Sequence, residues 1–284
     1  MFKLLVVLSF AFTSSAFAMP LAPMAYDSVW PSEGGGGESS KYNFEGIVAL
    51  SNCSGSIIKF THSIDSDNAM VLTNGHCLEG GMPKPGVVHF NKPVSRNMAI
   101  LNPKDGTKIG TIHATKILYS TMTKTDVTIY VLQETFQEIA ASFQIQPLTL
   151  SDKKASVGEG MEIISGYWKR GYSCNIEAFV PTLKEADWTM NDSIRYSRPG
   201  CETIGGTSGS PIISTQTKEV IGINNTGNED GQKCTMNNPC EVNERGEVTY
   251  EKGVSYGQQT YWFYTCMNEA KQLDLNVSGC LLAK

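Results

Sequence analysis

From Asn43 onward, short apolar runs alternate with turn residues. Gly46–Leu50, Ser54–Phe60, Ala69–Thr73, Gly86–Phe90, Met98–Leu101 and Thr128–Leu132 are each of strand length. The later half repeats the pattern with Gly160–Ser165, Ile176–Pro181, Pro211–Ser214, Glu219–Asn224 and Gln258–Thr265. Closely spaced short strands, punctuated by Gly, Pro, Asn and Asp, predict an all-β sandwich or barrel. Helical periodicity is scarce and is clearest over Thr265–Leu275, which predicts a C-terminal helix. Strands and helices do not alternate, which argues against a doubly wound parallel sheet. Polar residues between 135 and 157, including Ser151-Asp152-Lys153-Lys154, interrupt the strands and mark a boundary between two halves.

The N-terminal pattern is different. Residues 1–18 combine Lys3, an apolar core over Leu4–Phe12, and Ala16-Phe17-Ala18. That order predicts a signal peptide and export, to the medium or the periplasm. The apolar core is too short for a stable membrane anchor. Residues 19–42, centred on Gly34-Gly35-Gly36-Gly37, read as a Gly/Ser/Pro-rich leader or pro-segment, leaving 43–284 as the folded domain. Export changes the meaning of the eight cysteines: an even number in an exported chain predicts disulfides rather than metal ligands. The net charge of −5 offers no basic surplus for a nucleic-acid backbone. Charged residues make up 18%, with 27 Gly and 12 Pro, which excludes a coiled coil or a disordered chain. Asp65-Ser66-Asp67-Asn68 lacks the remaining positions of a calcium loop, and Cys-x₅-Cys without a second pair is a poor zinc signature, so no metal or cofactor is expected.

Three segments carry chemistry. Gly205-Gly206-Thr207-Ser208-Gly209-Ser210-Pro211 places a serine in a glycine turn whose adjacent N–H groups can converge on an oxyanion. It is not the Gly-x-Ser-x-Gly elbow of a lipase or esterase, because Ser210 occupies the second glycine position. A serine nucleophile needs a base. Among His62, His76, His89 and His113, His76 stands out: it follows an apolar run and precedes Cys77. The base needs a carboxylate to orient it, and Asp126 opens an apolar strand that can bury one.

The order His76, Asp126, Ser208 is that of the chymotrypsin group. With these residues in view, the chain resembles the trypsin/chymotrypsin-like serine endopeptidases. Asn52-Cys53-Ser54-Gly55-Ser56-Ile57-Ile58 resembles their Cys-Gly-Gly-Ser-Leu-Ile strand, and Leu72-Thr73-Asn74-Gly75-His76-Cys77 their Thr-Ala-Ala-His-Cys. Ile164-Ser165-Gly166-Tyr167 resembles Ile-Ser-Gly-Trp. Gly206-Thr207-Ser208-Gly209-Ser210-Pro211 is similar to the Gly-Asn-Ser-Gly-Ser-Pro of bacterial glutamyl endopeptidases. The resemblance implies two six-stranded antiparallel β-barrels, at about 43–140 and 155–265, with the helix at about 265–275. It also implies a monomeric enzyme acting on peptides or proteins, with Ser208 as nucleophile, His76 as base and then acid, and Asp126 as its orienter. Gly206 and Ser208 would form the oxyanion hole, and Asn224-Asn225-Thr226 the edge for an extended substrate. A catalytically inactive relative acting as a binding module is the alternative.

The resemblance also implies a Cys53–Cys77 disulfide. Proximity suggests Cys234–Cys240 and Cys266–Cys280, leaving Cys174–Cys201. There are departures from the family pattern. Thr207 replaces the aspartate that trypsins pair with a new N-terminus, and Asn224 and Asn225 replace aromatic or histidine positions. For specificity, Glu202 lies where trypsin-like enzymes select Lys or Arg, whereas Thr203 matches the glutamyl enzymes. Asn224 in place of the glutamyl enzymes' histidine tips the balance towards Lys or Arg, with Glu202 as a plain solvated loop residue the other reading.

Overall fold

In the computed structural model, the structure describes residues 41–284. The expected signal peptide and residues 19–40 of the expected leader lie outside the described residues. Tyr42, the last residue of that expected leader, packs onto the folded domain. Its ring packs against the first-barrel core and lies so close to Gly171 that a Cβ there would sit 2.5 Å away.

The strands are β1 (Ile47–Ala49), β2 (Ser54–Lys59), β3 (Asn68–Thr73), β4 (Val88–Leu101), β5 (Lys108–Thr121) and β6 (Val127–Thr135), then β7 (Leu148–Thr149). They hydrogen-bond in the order β1-β4-β5-β6-β3-β2, and β2 returns to β1, closing a six-stranded antiparallel barrel; β7 adds to β2 in parallel. The second set is β8 (Gly160–Ser165), β9 (Arg170–Glu185), β10 (Trp188–Tyr196), β11 (Pro211–Ser214) and β12 (Val220–Gly227), then β13 (Cys240–Val242), β14 (Val248–Thr249) and β15 (Ser255–Gln259). Six of these close a second antiparallel ring, β10-β15-β12-β11-β8-β9 and back to β10, while β13 and β14 extend from β9. Closure removes the exposed edges that open sheets must protect.

Each barrel is filled by the inward positions of its strands. Ile57, Leu72, Ile112 and Ile129 are fully buried in the first, and Met161, Ile163, Ile194 and Ile212 in the second. Burying an aliphatic side chain of this size contributes about 1.5–3 kcal/mol relative to exposure.

Several elements differ from the sequence expectation. Val88–Phe90, from the expected Gly86–Phe90 run, and Met98–Leu101 are the two ends of the single strand β4, whose middle, Asn91–Ser95, is solvent-facing apart from half-buried Val94. Helix α1 (Phe136–Phe143) fills part of the interval read as a boundary. It is started by a capping box in which Thr135 Oγ1 accepts from Glu138 N (3.1 Å) and Glu138 Oε2 accepts from Thr135 N (2.8 Å). The C-terminal helical segment is a 3₁₀ helix, Tyr261–Cys266, lying before most of the 265–275 span. Residues after it turn instead: Lys271 has φ +60°, Met267 bridges to Leu273, and the Cys266–Cys280 disulfide holds the tail back on the helix. The same 3₁₀ helix takes up the end of the expected Gln258–Thr265 strand.

The barrels meet closely at Gly166, just after β8. A Cβ there would lie 2.3 Å from the Val48 carbonyl oxygen of β1. Backbone of this kind cannot yield without separating the barrels. Gly166→Ala is expected to lower unfolding free energy by about 1–3 kcal/mol, read as a lower urea midpoint at unchanged slope; an unchanged midpoint would show that the interface tolerates the methyl group.

Candidate active site

The histidine turn is built from below by the first barrel. β3 ends at Thr73, and a single 3₁₀ turn, Gly75–Cys77, presents His76. Gly75 has no room for a side chain: a Cβ would lie 2.2 Å from Thr121 O and 3.0 Å from Asp126 Oδ1. The Cys53–Cys77 disulfide ties the turn to the segment leading into β2. Arg96 of β4, only 2% exposed, supports it from beneath. Its guanidinium donates to Cys77 O (2.8 Å), Tyr130 Oη (3.0 Å) and Asn52 Oδ1 (2.8 Å), and its Nε lies 3.4 Å from Glu79 Oε1. Asn52 Nδ2 donates to the same Cys77 carbonyl at 3.2 Å. Arg96 was not singled out from the sequence, because the polar run around it reads as surface.

Asp126 sits immediately before β6 and is 1% exposed. Its Oδ1 accepts from the backbone N–H groups of Gly75 (2.6 Å) and His76 (3.1 Å), and its Oδ2 meets His76 Nδ1 at 2.6 Å. Asn74 Nδ2 donates to the Asp126 carbonyl at 2.7 Å. The aspartate therefore fixes both the turn and the ring. Burial acts to lower the His76 pKa, but the charge of Asp126 and its hydrogen bond outweigh that and hold it above 6.5, with a smaller contribution from Glu185. The resulting stabilisation is full below the unfolded-state value of 6.5 and is lost as pH rises through the higher folded-state value.

Ser208 comes from the second barrel, in the turn before β11. Its carbonyl accepts from Ser54 N (2.8 Å) in the first barrel, and Gly209 N donates to Asn224 O (3.0 Å). Gly209 has φ +82°, and a Cβ there would lie 2.2 Å from Ser54 O and 2.3 Å from Thr73 Oγ1, so only glycine fits after the serine. Fully buried Ser54 is a second residue that sequence reasoning did not single out. Its Oγ contacts Ser165 Oγ (2.9 Å) and Gly206 O (3.2 Å) and accepts from Tyr167 N (3.1 Å). Trp168 Nε1 donates to Gly205 O at 2.7 Å. These bonds hold the glycine turn by its carbonyl side. The N–H groups of Gly206 and Ser208 have no hydrogen-bond partner among the described residues. Thr207, where trypsins have aspartate, is fully buried, with its hydroxyl 3.5 Å from Tyr172 Oη.

His76, Asp126 and Ser208 line one cavity, together with Thr203, Asn224, Asn225 and Thr226. Ser208 Oγ donates to Asn225 O at 3.2 Å. Asn225 is the residue left out of register where β12 pairs with β15, and that bulge turns its carbonyl towards the serine. Asn224 is buried, and its Oδ1 accepts from Tyr196 Oη at 3.1 Å, so its side chain serves the second barrel. Glu202 is not brought to the catalytic cavity. It is exposed, accepts from Gly200 N at 3.0 Å, and lines a neighbouring hollow with Lys252 and Ser255. Thr203 borders both spaces, its N–H donating to Ser255 Oγ at 3.1 Å. The remaining disulfides join Cys174 to Cys201, Cys234 to Cys240 and Cys266 to Cys280.

Because Asp126 makes the largest contribution opposing burial at His76, Asp126→Asn is expected to lower the imidazole titration, followed by NMR of the His76 ring. An unchanged titration would show that another group sets the value.

No curated protein sequence matches the chain. Among solved structures, the protease domain of MamO from Magnetospirillum magneticum is similar at 12% identity, covering 77% of this chain and 94% of that one, with a TM-score of 0.46. Cellulomonas bogoriensis chymotrypsin matches at 15% identity over 76% of this chain and 90% of that one, TM-score 0.42, and Nocardiopsis protease at 16% over 75% and 89%, TM-score 0.43. The trypsin-like peptidase domain model matches residues 53–223, more than half of the sequence, from Cys53 through the His76 and Ser208 turns to β12; the chain therefore belongs to the trypsin-like peptidase family.

Proposed function

We propose that the protein is a secreted serine endopeptidase working through His76, Asp126 and Ser208. Family membership implies hydrolysis of peptides or proteins. The observation that carries the finer reading is the 2.6 Å contact between His76 Nδ1 and buried Asp126 Oδ2, in the same cavity as Ser208. With Nδ1 committed to Asp126, His76 has Nε2 left to act as the base. The Ser208 hydroxyl turns from Asn225 O to His76 Nε2, passes its proton there and attacks the scissile carbonyl carbon. The tetrahedral oxyanion accepts from the unspent N–H groups of Gly206 and Ser208. His76 returns the proton to the departing amine, leaving an acyl-enzyme on Ser208. A water molecule activated by the same ring then releases the acid. A substrate strand runs antiparallel beside Asn224-Asn225-Thr226.

Export through residues 1–18, with residues 19–42 as a leader, belongs to the same proposal. It is supported by the four disulfides, which form and persist in oxidising compartments. Among the described residues, no helix is long and apolar enough to cross a membrane.

Ser208→Ala is expected to lower kcat for a cleavable peptide by a factor on the order of 10⁶, without loss of the folded state. Hydrolysis that survives this change would refute the mechanism. For the wild type, kcat/KM is expected to rise with pH as His76 loses its proton, with the midpoint of that limb above 6.5. A midpoint below 6.5 would detach the rate from this histidine.

A further inference from the structure

The cavity holding His76 and Ser208 contains a third carboxylate that the mechanism does not use. Glu185, the last residue of β9, is 8% exposed and lines the cavity wall. It forms no ion pair with Lys or Arg among the described residues. Its Oε1 accepts from Asn237 N at 2.8 Å, and the nearby Thr226 side chain, on the same cavity wall, acts to lower its pKa. A carboxylate has about four acceptor sites, so the bond from Asn237 N aims the group without exhausting it. Burial, its largest influence, pushes its pKa up, as expected of a carboxylate short of a cation.

The surroundings suit a long cationic side chain. Met82, Met122, Trp188, Met190 and Met236 supply apolar wall, and no lining residue is Lys or Arg. Exposed Glu229 adds a further negative charge at the margin. Apolar walls leading to an unpaired carboxylate match an aliphatic stem ending in a positive group. The far wall is anchored: Trp188 Nε1 donates to Pro83 O (2.8 Å), and Lys124 N to Thr189 O (3.0 Å), tying the β9–β10 hairpin across to the first barrel.

The position along the substrate follows from β12. Asn224 is bonded to the nucleophile turn through Gly209 N, and Thr226, which lines the same cavity as Glu185 and acts on its pKa, lies two residues farther on. A peptide running antiparallel to β12 meets Thr226 upstream of its scissile bond. The geometry points to Glu185 as the residue that selects a Lys or Arg side chain two to four residues before the cleaved bond, at a site separate from the hollow beside Glu202. This assignment rests on the peptidase reading above and specifies its substrates.

The test is a set of fluorogenic peptides that differ only at the second, third or fourth residue before the scissile bond, carrying Lys, Arg, norleucine or Glu. The wild type is expected to favour Lys or Arg over norleucine by about 10- to 100-fold in kcat/KM at one of these positions. In Glu185→Gln, which keeps an acceptor for Asn237 N, that ratio should fall to within about threefold, a change that a purely structural role would not produce. The same peptides are also titrated by anisotropy onto Ser208→Ala protein with and without Glu185→Gln, where the same preference and the same loss are expected. A preference in binding without any cleavage by the wild type would sink the peptidase mechanism and leave the role of Glu185 standing. A wild type indifferent to upstream charge in both assays overturns the role of Glu185, as does a preference that persists in Glu185→Gln. Should Glu185→Gln fail to fold, the wild-type ratio decides alone.

Discussion

The candidate site depends on how one buried carboxylate is spent. Asp126 has almost no contact with solvent, and both of its oxygens are committed to the His76 turn: one to two backbone N–H groups, the other to the imidazole. A buried carboxylate without such partners would be costly, so the turn and the aspartate require each other. Much of the first barrel serves this arrangement. β6 places Asp126, β3 delivers the turn, the missing side chain of Gly75 lets the backbone approach, and the Cys53–Cys77 bond and Arg96 secure the far side. The local electrostatics follow, with the imidazole held above its ordinary pKa despite burial.

The second barrel contributes a turn gripped by its carbonyl oxygens. Ser54 N, Ser54 Oγ and Trp168 Nε1 bind the carbonyls of Ser208, Gly206 and Gly205. With the carbonyls held, two N–H groups remain unspent, the polarity needed where negative charge develops. Buried Thr207, beside the Tyr172 hydroxyl, occupies the position at which trypsins place an ion-paired aspartate. The turn here therefore rests on neutral contacts and on the first barrel's Ser54.

What the sequence reveals depends on how local the cause is. The glycine turn at Ser208, the Gly75-His76-Cys77 turn and the strand that begins after Asp126 are short-range patterns, and the inward β-branched and aliphatic runs mark most barrel strands. Strand β5 is harder to see because Lys, Thr and His alternate along its outer face. Helix α1 carries a legible capping box at Thr135 and Glu138, but its eight residues are too few for periodicity to stand out. Arg96 and Glu185 leave no local mark. Arg96 lies in a polar stretch that twists inward only when β4 pairs with β5 through a bulge. Glu185 reaches the cavity only because the β9–β10 hairpin leans across to the first barrel. Glu202 shows the converse: motif spacing places it at the specificity position, yet its carboxylate turns back onto Gly200 and away from the catalytic cavity.

Together, these features describe a cavity in which one carboxylate holds the His76 imidazole and a second, without a Lys or Arg partner among the described residues, lines the same wall. Whether the oriented base activates Ser208 can be read without any knowledge of the substrate. Purified protein treated with a fluorophosphonate, then digested and mapped by mass spectrometry, is expected to carry one adduct, on Ser208, formed far more slowly in His76→Ala. Absence of the adduct, its appearance on another serine, or labelling of Ser208 at an equal rate in His76→Ala would contradict a nucleophile activated by the His76–Asp126 pair.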